Sequence, residues 1–230
     1  MSVRLLMLET STSLCSAALA EDGVVKYYRQ SGEPRAHASM TAVYIQQILS
    51  EAGLRASDLD AVCVSMGPGS YTGLRVGSST AKGLCFGAGV PLIAVGTLDT
   101  LAAQALQGGF AEGCRYIVPM IDARRMEVYS AVFSVEGKQL TPTQSTIVTE
   151  DSFADQLAEG PVLFVGDGAD KCRSVLTGDN ARFLQCCPRA DAMCVPAMQA
   201  YNEKRFKDIA YFEPFYLKDF VATVSAKKLF

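Results

Sequence analysis

The chain has 230 residues, of which 49% are hydrophobic and 20% charged, so it can bury a substantial core and is not of the disordered class. Its formal net charge of -3 excludes a strong electrostatic drive toward nucleic-acid backbones. The single histidine, His37, excludes a zinc site built on two or three imidazoles and leaves one base for any Ser-His-Asp arrangement. We expect His37 to lie on a helix face or at an interface.

Neither a secretion signal nor a membrane span is expected. The N-terminus lacks a basic start followed by an apolar stretch and a small-residue cleavage site. The most apolar window, 89–106, is interrupted by Pro91, Gly96 and Asp99. The eight cysteines form no Cys-x-x-Cys pair, and we expect reduced, mostly buried thiols. The sequence therefore predicts a cytoplasmic protein.

The first half of the sequence predicts strands that alternate with helices. Strand 3–8 is apolar and ends in the hydroxyl-rich turn 9–13, and Asp22-Gly23 between two β-prone runs predicts a hairpin. Apolar residues at spacings of three and four predict helix 34–52, which Gly53 ends as a C-cap. The elements that follow are strand 59–66, the glycine-rich turn 67–69 with a helix of small residues after it, strand 91–96, and helix 98–106 opened by Thr97.

The second half repeats this order of elements. Its predicted elements are strand 115–123, a run over 127–140 that pairs with it through a turn at Glu136-Gly137, helix 151–158, a strand, Gly-x-Gly turn and helix start over 161–170, strand 181–187, helix 191–206 and strand 213–217. Such alternation predicts an α/β fold with a mixed sheet in each half. The weakly patterned, glycine-rich segment around Gly108 divides the chain into halves 1–107 and 108–230, and the last segment can pack back on the first half.

The glycine-rich turn fits neither standard phosphate cradle. A Walker loop needs a Gly-Lys pair that begins five residues after its first glycine. Five residues after Gly67 the sequence has Thr72 and Gly73 instead. A dinucleotide fingerprint needs glycine spacings of two and three, whereas Gly67, Gly69 and Gly73 are spaced two and four apart. The free amides of a helix N-terminus could still hold an anion, with Arg75 assisting from the first turn.

The helix after this turn is thin along one face. Gly73, Gly77 and Ala81 are four residues apart and therefore share a face. Each glycine in a helix costs about 1 kcal/mol relative to alanine, so two on one face indicate close approach of another backbone. That backbone can belong to this chain, or to a partner that docks on this face together with Met40 and Tyr44 of helix 34–52.

Polar turns after three predicted strands form another candidate site. Glu9 with the hydroxyls after it, Asp122, and the turn from Gly166 to Gly168 are arranged along the chain as in actin-like ATPases and sugar kinases. Under this interpretation Glu9 and Asp122 would act with magnesium in an ATP-dependent kinase or ATPase. The alternative is that all three are ordinary polar turns, and the residues alone do not decide between the two.

Four segments together resemble the TsaB family, also called YeaZ. They are MLETSTSLCSAAL, GPGSYTGLRVGSSTAKGL, IDARRMEVYSA and EPFYL, in the order of the family and over nearly the whole chain. The resemblance implies an actin-like (ASKHA, ribonuclease H-like) fold of two related halves, each a mixed sheet with flanking helices. It also implies a partner subunit in forming threonylcarbamoyladenosine next to the anticodon of tRNAs, without catalysis by the chain on its own.

The resemblance further implies the partners and their cofactors. A TsaD-like catalytic subunit would carry the metal-binding histidines, a TsaE-like ATPase would join it, and ATP and the divalent metal would belong to these partners. In isolation we expect a homodimer through the first two helices, which also dock the TsaD-like subunit, and contact with tRNA only through the complex.

Two sets of site residues follow from the resemblance, and neither includes a catalytic or metal-binding residue. The partner-binding set is His37, Met40, Thr41, Tyr44, Gly73, Arg75, Gly77, Thr80, Ala81 and Leu84. The second set is a vestigial nucleotide site formed by Glu9, Thr10, Ser11, Asp122, Gly166 and Gly168.

Overall fold

The computed structural model describes residues 2–33 and 36–218, and its first half is built as the sequence predicts. The elements are β1 (Arg4–Glu9), β2 (Cys15–Glu21), β3 (Val24–Ser31), α1 (Ala36–Ala52), β4 (Ala61–Ser65), α2 (Tyr71–Ala88), β5 (Leu92–Val95) and α3 (Thr97–Gln107). Asp22 and Gly23 both have positive φ, 49° and 77°, which confirms the predicted hairpin turn. Residues 34 and 35, where the predicted helix starts, lie outside the described residues.

The second half contains β6 (Tyr116–Asp122), β7 (Glu127–Ser130), β8 (Phe133–Ser134), β9 (Gln144–Ile147), α4 (Ala154–Glu159), β10 (Val162–Gly166), β11 (Ala181–Gln185), α5 (Cys194–Asn202) and β12 (Phe206–Lys207). Strand β9, which pairs with β7, is absent from the sequence prediction. Its residues are largely exposed, so no alternation of apolar and polar side chains marks it.

The two halves have the same sheet topology. The strand order is β5-β4-β1-β2-β3 in the first half and β11-β10-β6-β7-β9 in the second. In each half the opening strand pairs antiparallel with the next strand of its hairpin and parallel with the strand after the following helix. The predicted architecture of two related mixed sheets is therefore confirmed.

Helices cover the first sheet on both faces. Helices α1 and α2 pack on one face around Leu6, Leu8 and Val64, and α5 packs on the other around Leu5, Met7 and Cys63. This is why β1 is buried on both faces, although a sheet strand usually alternates. Helix α3 packs against β6 and β10 of the second sheet and thereby joins the halves. Among the residues described here, no helix is long and apolar enough to cross a bilayer.

The C-terminal prediction needs two corrections. Predicted helix 191–206 is a 3-10 turn, the short helix α5 and strand β12, which adds to the free edge of β5. Segment 213–217 is not a strand, because Pro214 has no N–H and Phe215 N donates instead to Met66 O at 2.7 Å. Residues 190–215 thus lie against the first half, while the division at 107 and 108 stays a prediction.

Candidate functional site

The turn after β1 directs its carboxylate inward. Glu9 is fully buried, and its Oε1 accepts a hydrogen bond from Ser11 N at 2.7 Å. Burial raises the pKa of Glu9, an effect that bonds from Ser11 reduce. The Oγ1 of Thr10, also buried, donates to Gly73 O at 2.8 Å. The structure thus places both side chains inside the turn, and the role of Glu9 and Thr10 in a nucleotide site stays a prediction.

The glycine-rich turn and the thin face of α2 receive this β1 turn. A Cβ on Gly69 would lie 2.3 Å from Ser11 O, and one on Gly73 would lie 2.0 Å from Thr10 O. A Cβ on Gly77 would lie 2.2 Å from Thr10 Oγ1. The glycines thus make room for Ser11 and Thr10 of the same chain, and Ala81 is fully buried. A partner contact along Gly73, Gly77 and Ala81 stays a prediction, on a face that the β1 turn already covers.

Helix α1 also turns several predicted contact residues inward. Thr41 and Tyr44 are buried, and Tyr44 belongs to the core under the first sheet. Their predicted contact with a partner stays a prediction. Met40 is half-buried against that core. The half-buried His37 donates through Nε2 to Thr12 O at 2.8 Å, which ties α1 to the β1 turn.

The outward face of α2 carries a different row of exposed residues, three of which are small. Arg75, Ser79, Gly83 and Gly87 are spaced four apart and are exposed. A Cβ on Gly83 or Gly87 would meet no atom within 4 Å. Phe86, with 84% of its surface exposed, stands beside this row, and the predicted contact residues Thr80 and Leu84 are half-buried at its border.

A cleft of about 720 Å³ separates the polar turns of the two halves. Its walls include 11–13 and 69–72 from the first half, 121–124 and Asp167 from the second, and the C-terminal segment 215–218. Asp122, which is partly exposed, forms an ion pair with Lys171. The cleft therefore contains two of the predicted nucleotide-site residues, Ser11 and Asp122, but not Glu9 or Thr10.

Asp167 is the strongly perturbed carboxyl of this cleft. Its Oδ1 accepts a hydrogen bond from Asp122 N at 2.9 Å. Burial raises the pKa of Asp167 to about 6, against the lowering effect of that bond. Within the parts of the chain that the structure describes, no group of three or more His, Cys, Asp or Glu side chains is placed to hold a metal ion.

The late glycine turn is internal packing. A Cβ on Gly166 would lie 2.1 Å from Met120 O, and one on Gly168 would lie 3.0 Å from Val128 Cγ1 and 3.2 Å from Asp122 N. Both glycines therefore let their turn approach β6 and the residues beside it. The expectation that Gly166 and Gly168 are there to admit a nucleotide is not supported by these contacts.

Sequence reasoning missed three features of the site. They are the outward row on α2, the ion pair of Lys171 with Asp122, and the cleft wall formed by 215–218. The row had a readable signal, because Arg75 and Ser79 are polar while Leu74 and Cys85 on the inward side are apolar. The other two features join residues far apart in the chain and had no local signal.

The repeated strand order, with a cleft between the two polar turns, defines the class of actin-like (ASKHA) proteins of ribonuclease H-like topology. A family model described as "TsaD: tRNA N6-adenosine threonylcarbamoyltransferase" matches residues 33–226. The chain is 31% identical to the tRNA threonylcarbamoyladenosine biosynthesis protein TsaB of Escherichia coli, covering 96% of each chain, and 33% identical to TsaB of Bacillus subtilis over 70% of each. The solved structure of YeaZ from Pseudomonas aeruginosa superposes with a TM-score of 0.81 at 26% identity, covering 94% of this chain and 100% of that one.

This chain belongs to the family that the model describes and, within it, to the TsaB (YeaZ) proteins of tRNA threonylcarbamoyladenosine biosynthesis. The resemblance found in the sequence is thereby confirmed.

Proposed function

We propose that this chain is a non-catalytic partner subunit of the complex that forms threonylcarbamoyladenosine next to the anticodon of tRNAs. Its place in that biosynthesis rests on the full-length similarity to TsaB. The lack of catalysis is supported by the site, since Glu9 is buried away from the cleft and Asp122 is paired with Lys171. The same two observations count against the alternative of a kinase or ATPase that uses Glu9 and Asp122.

The docking surface in this proposal is the outward face of α1 and α2. The observation that carries it is the exposed row of Arg75, Ser79, Gly83 and Gly87, over which a partner helix could approach closely. Exposed Phe86 beside the row offers apolar area to bury. A TsaD-like subunit would dock here, and in isolation a second copy of the chain would use the same face.

The remaining parts of the complex supply what this chain does not. A TsaE-like ATPase joins the assembly, and ATP and the divalent metal belong to the TsaD-like and TsaE-like partners. The tRNA is contacted only through the assembled complex, in the cytoplasm. The single histidine of the chain supports assigning the histidine-bound metal to the TsaD-like subunit.

Gly83→Leu tests the docking surface. We expect this change to weaken association with the cognate TsaD-like subunit by about tenfold or more, because the leucine side chain would stand in the helix–helix contact. The free chain should stay folded, since the site is open and leucine favours a helix over glycine by about 1 kcal/mol. Titration calorimetry measures the affinity, and light scattering measures dimerisation.

Gly83→Ala is the matched control and should associate nearly as well as the unmodified chain. If Gly83→Leu forms the complex with unchanged affinity, the outward face of α2 is not the docking surface.

A further inference from the structure

The C-terminal segment 210–218, here called the strap, is fastened to the first half. Phe215 N donates to Met66 O at 2.7 Å. Lys82 Nζ, on α2, donates to Ala210 O at 3.2 Å and to Phe212 O at 3.1 Å. The Phe212 side chain is 8% exposed and packs in the core under α1 and α2. This end of the strap is therefore held by backbone hydrogen bonds and apolar burial.

The turn between β4 and α2 is shaped to receive the strap. Gly67 has a φ of 106°, and a Cβ at this position would lie 2.6 Å from Phe215 O. One residue after Phe215, the ring of Tyr216 contacts the ring of Tyr71 in the first turn of α2, with centroids 4.8 Å apart. Only glycine provides both the left-handed backbone and the space that this contact requires.

The far end of the strap reaches the second half. Lys218 Nζ forms an ion pair with the Glu127 carboxylate at the start of β7. The Lys218 side chain is 45% exposed and the Glu127 side chain 23% exposed. Ser145 Oγ also donates to the Glu127 carboxylate, at the oxygen that Lys218 does not use, and Lys171 Nζ donates to the main-chain O of Glu127, so Glu127 is also held by its own half.

The strap therefore spans the mouth of the cleft, of which 215–218 form one wall. Behind the cleft, the halves are joined by the apolar packing of α3 on β6, and Ser13 Oγ lies 3.5 Å from Cys187 Sγ. The two ends of the strap are held with different strength. The ion pair of Lys218 is exposed, so it is weak and is screened by salt, whereas the buried contacts of Phe212 in the first half are not.

We propose that the strap is a latch that stays anchored on the first half and is released at Lys218, which lets the two halves separate at the cleft mouth. Release exposes the β1 turn and the turn that follows β6 to larger ligands. The test of the latch measures distances within the free chain, so the latch stands or falls separately from the proposed partner.

Distance measurements between the halves test the latch in the full chain. Spin labels would be attached to keto amino acids at exposed Gln46 of α1 and exposed Asp151 of the second half, which leaves the native cysteines untouched. Pulsed electron paramagnetic resonance should show a broader and longer distance distribution for Lys218→Ala than for the unmodified chain. Salt at about 1 M, where the Debye length is about 3 Å, should have the same effect on the unmodified chain and little further effect on Lys218→Ala.

Lys218→Arg, which keeps the ion pair, should restore the narrow distribution. Arg55→Ala, which removes an exposed ion pair with Asp58 inside the first half, should leave the distribution unchanged. If the distributions of Lys218→Ala and the unmodified chain superpose at low salt, the latch proposal is wrong.

Hydrogen exchange at the Phe215 amide tests which end is released. This amide is bonded to Met66 O and should keep its protection in Lys218→Ala. A faster exchange of this amide in Lys218→Ala would contradict the proposal that the strap stays attached to the first half, because the whole strap would then detach.

Discussion

At the scale of single residues, the cleft contains a carboxyl whose ionisation opposes folding. Asp167 is largely buried, and its pKa is raised to about 6. The pKa of this carboxyl is higher in the folded chain than in the unfolded chain. At pH values between these two pKa values, the folded chain therefore binds the proton more strongly. Stability therefore increases as the pH falls from above 6 toward 4, and the cost of the buried charge is fully present above pH 6.

We predict that Asp167→Asn removes this pH dependence. The asparagine Oδ1 can still accept the bond from Asp122 N, so the fold should be kept. At pH 8 the variant should exceed the unmodified chain in free energy of unfolding by about 2–3 kcal/mol, and the difference should vanish near pH 4. Urea denaturation at several pH values measures it.

Asp179→Asn, the same substitution at an exposed carboxyl, is the matched control. A difference between Asp167→Asn and the unmodified chain that is constant from pH 4 to pH 8 would contradict the raised pKa.

At the scale of elements, α2 uses glycines in two opposite ways. Gly73 and Gly77 are small because the β1 turn presses against them, whereas Gly83 and Gly87 face open space. Pairs of glycines with the same four-residue spacing thus allow close packing inside the chain on one face of α2 and are exposed on the other face.

We predict that alanine has opposite effects at the two rows. Gly77→Ala should lower the free energy of unfolding by about 1–3 kcal/mol, because the new Cβ would overlap the Oγ1 of buried Thr10. Gly83→Ala should raise the free energy of unfolding by up to about 1 kcal/mol, since alanine favours a helix more than glycine does and the new Cβ displaces no atom. Chemical denaturation of both variants measures this, and equal stabilisation by both would refute the inward assignment of Gly77.

At the scale of the whole molecule, the charge balance limits what the chain can bind alone. The formal net charge is -3, and tRNA binding strengthens with each phosphate that a protein neutralises. We predict that the isolated chain binds tRNA with a Kd no tighter than about 1 μM near physiological salt. Filter binding measures this, with the assembled complex as the positive control. Sub-micromolar binding by the lone chain would show that it recognises tRNA itself.

Local patterns were enough for most elements and for the class of fold. Apolar runs, the Asp22-Gly23 hairpin and the helical spacing before Gly53 each depend on neighbours in the chain, and the structure confirms them. Strand β9 was missed because an exposed edge strand needs no apolar face. The motifs also sufficed for the family, since they mark turns whose shape depends on a few glycines and hydroxyls.

Contacts between distant segments decided the rest. The spacing of Gly73 and Gly77 indicated a close approach, but only the fold shows that the approaching residue is Thr10 of the same chain, with its carbonyl at Gly73 and its Oγ1 at Gly77. The buried position of Glu9 and the course of the strap likewise depend on residues that lie dozens of positions away. Periodicity defines which side chains share a face of a helix or strand, but which face is covered follows from the packing of the whole chain.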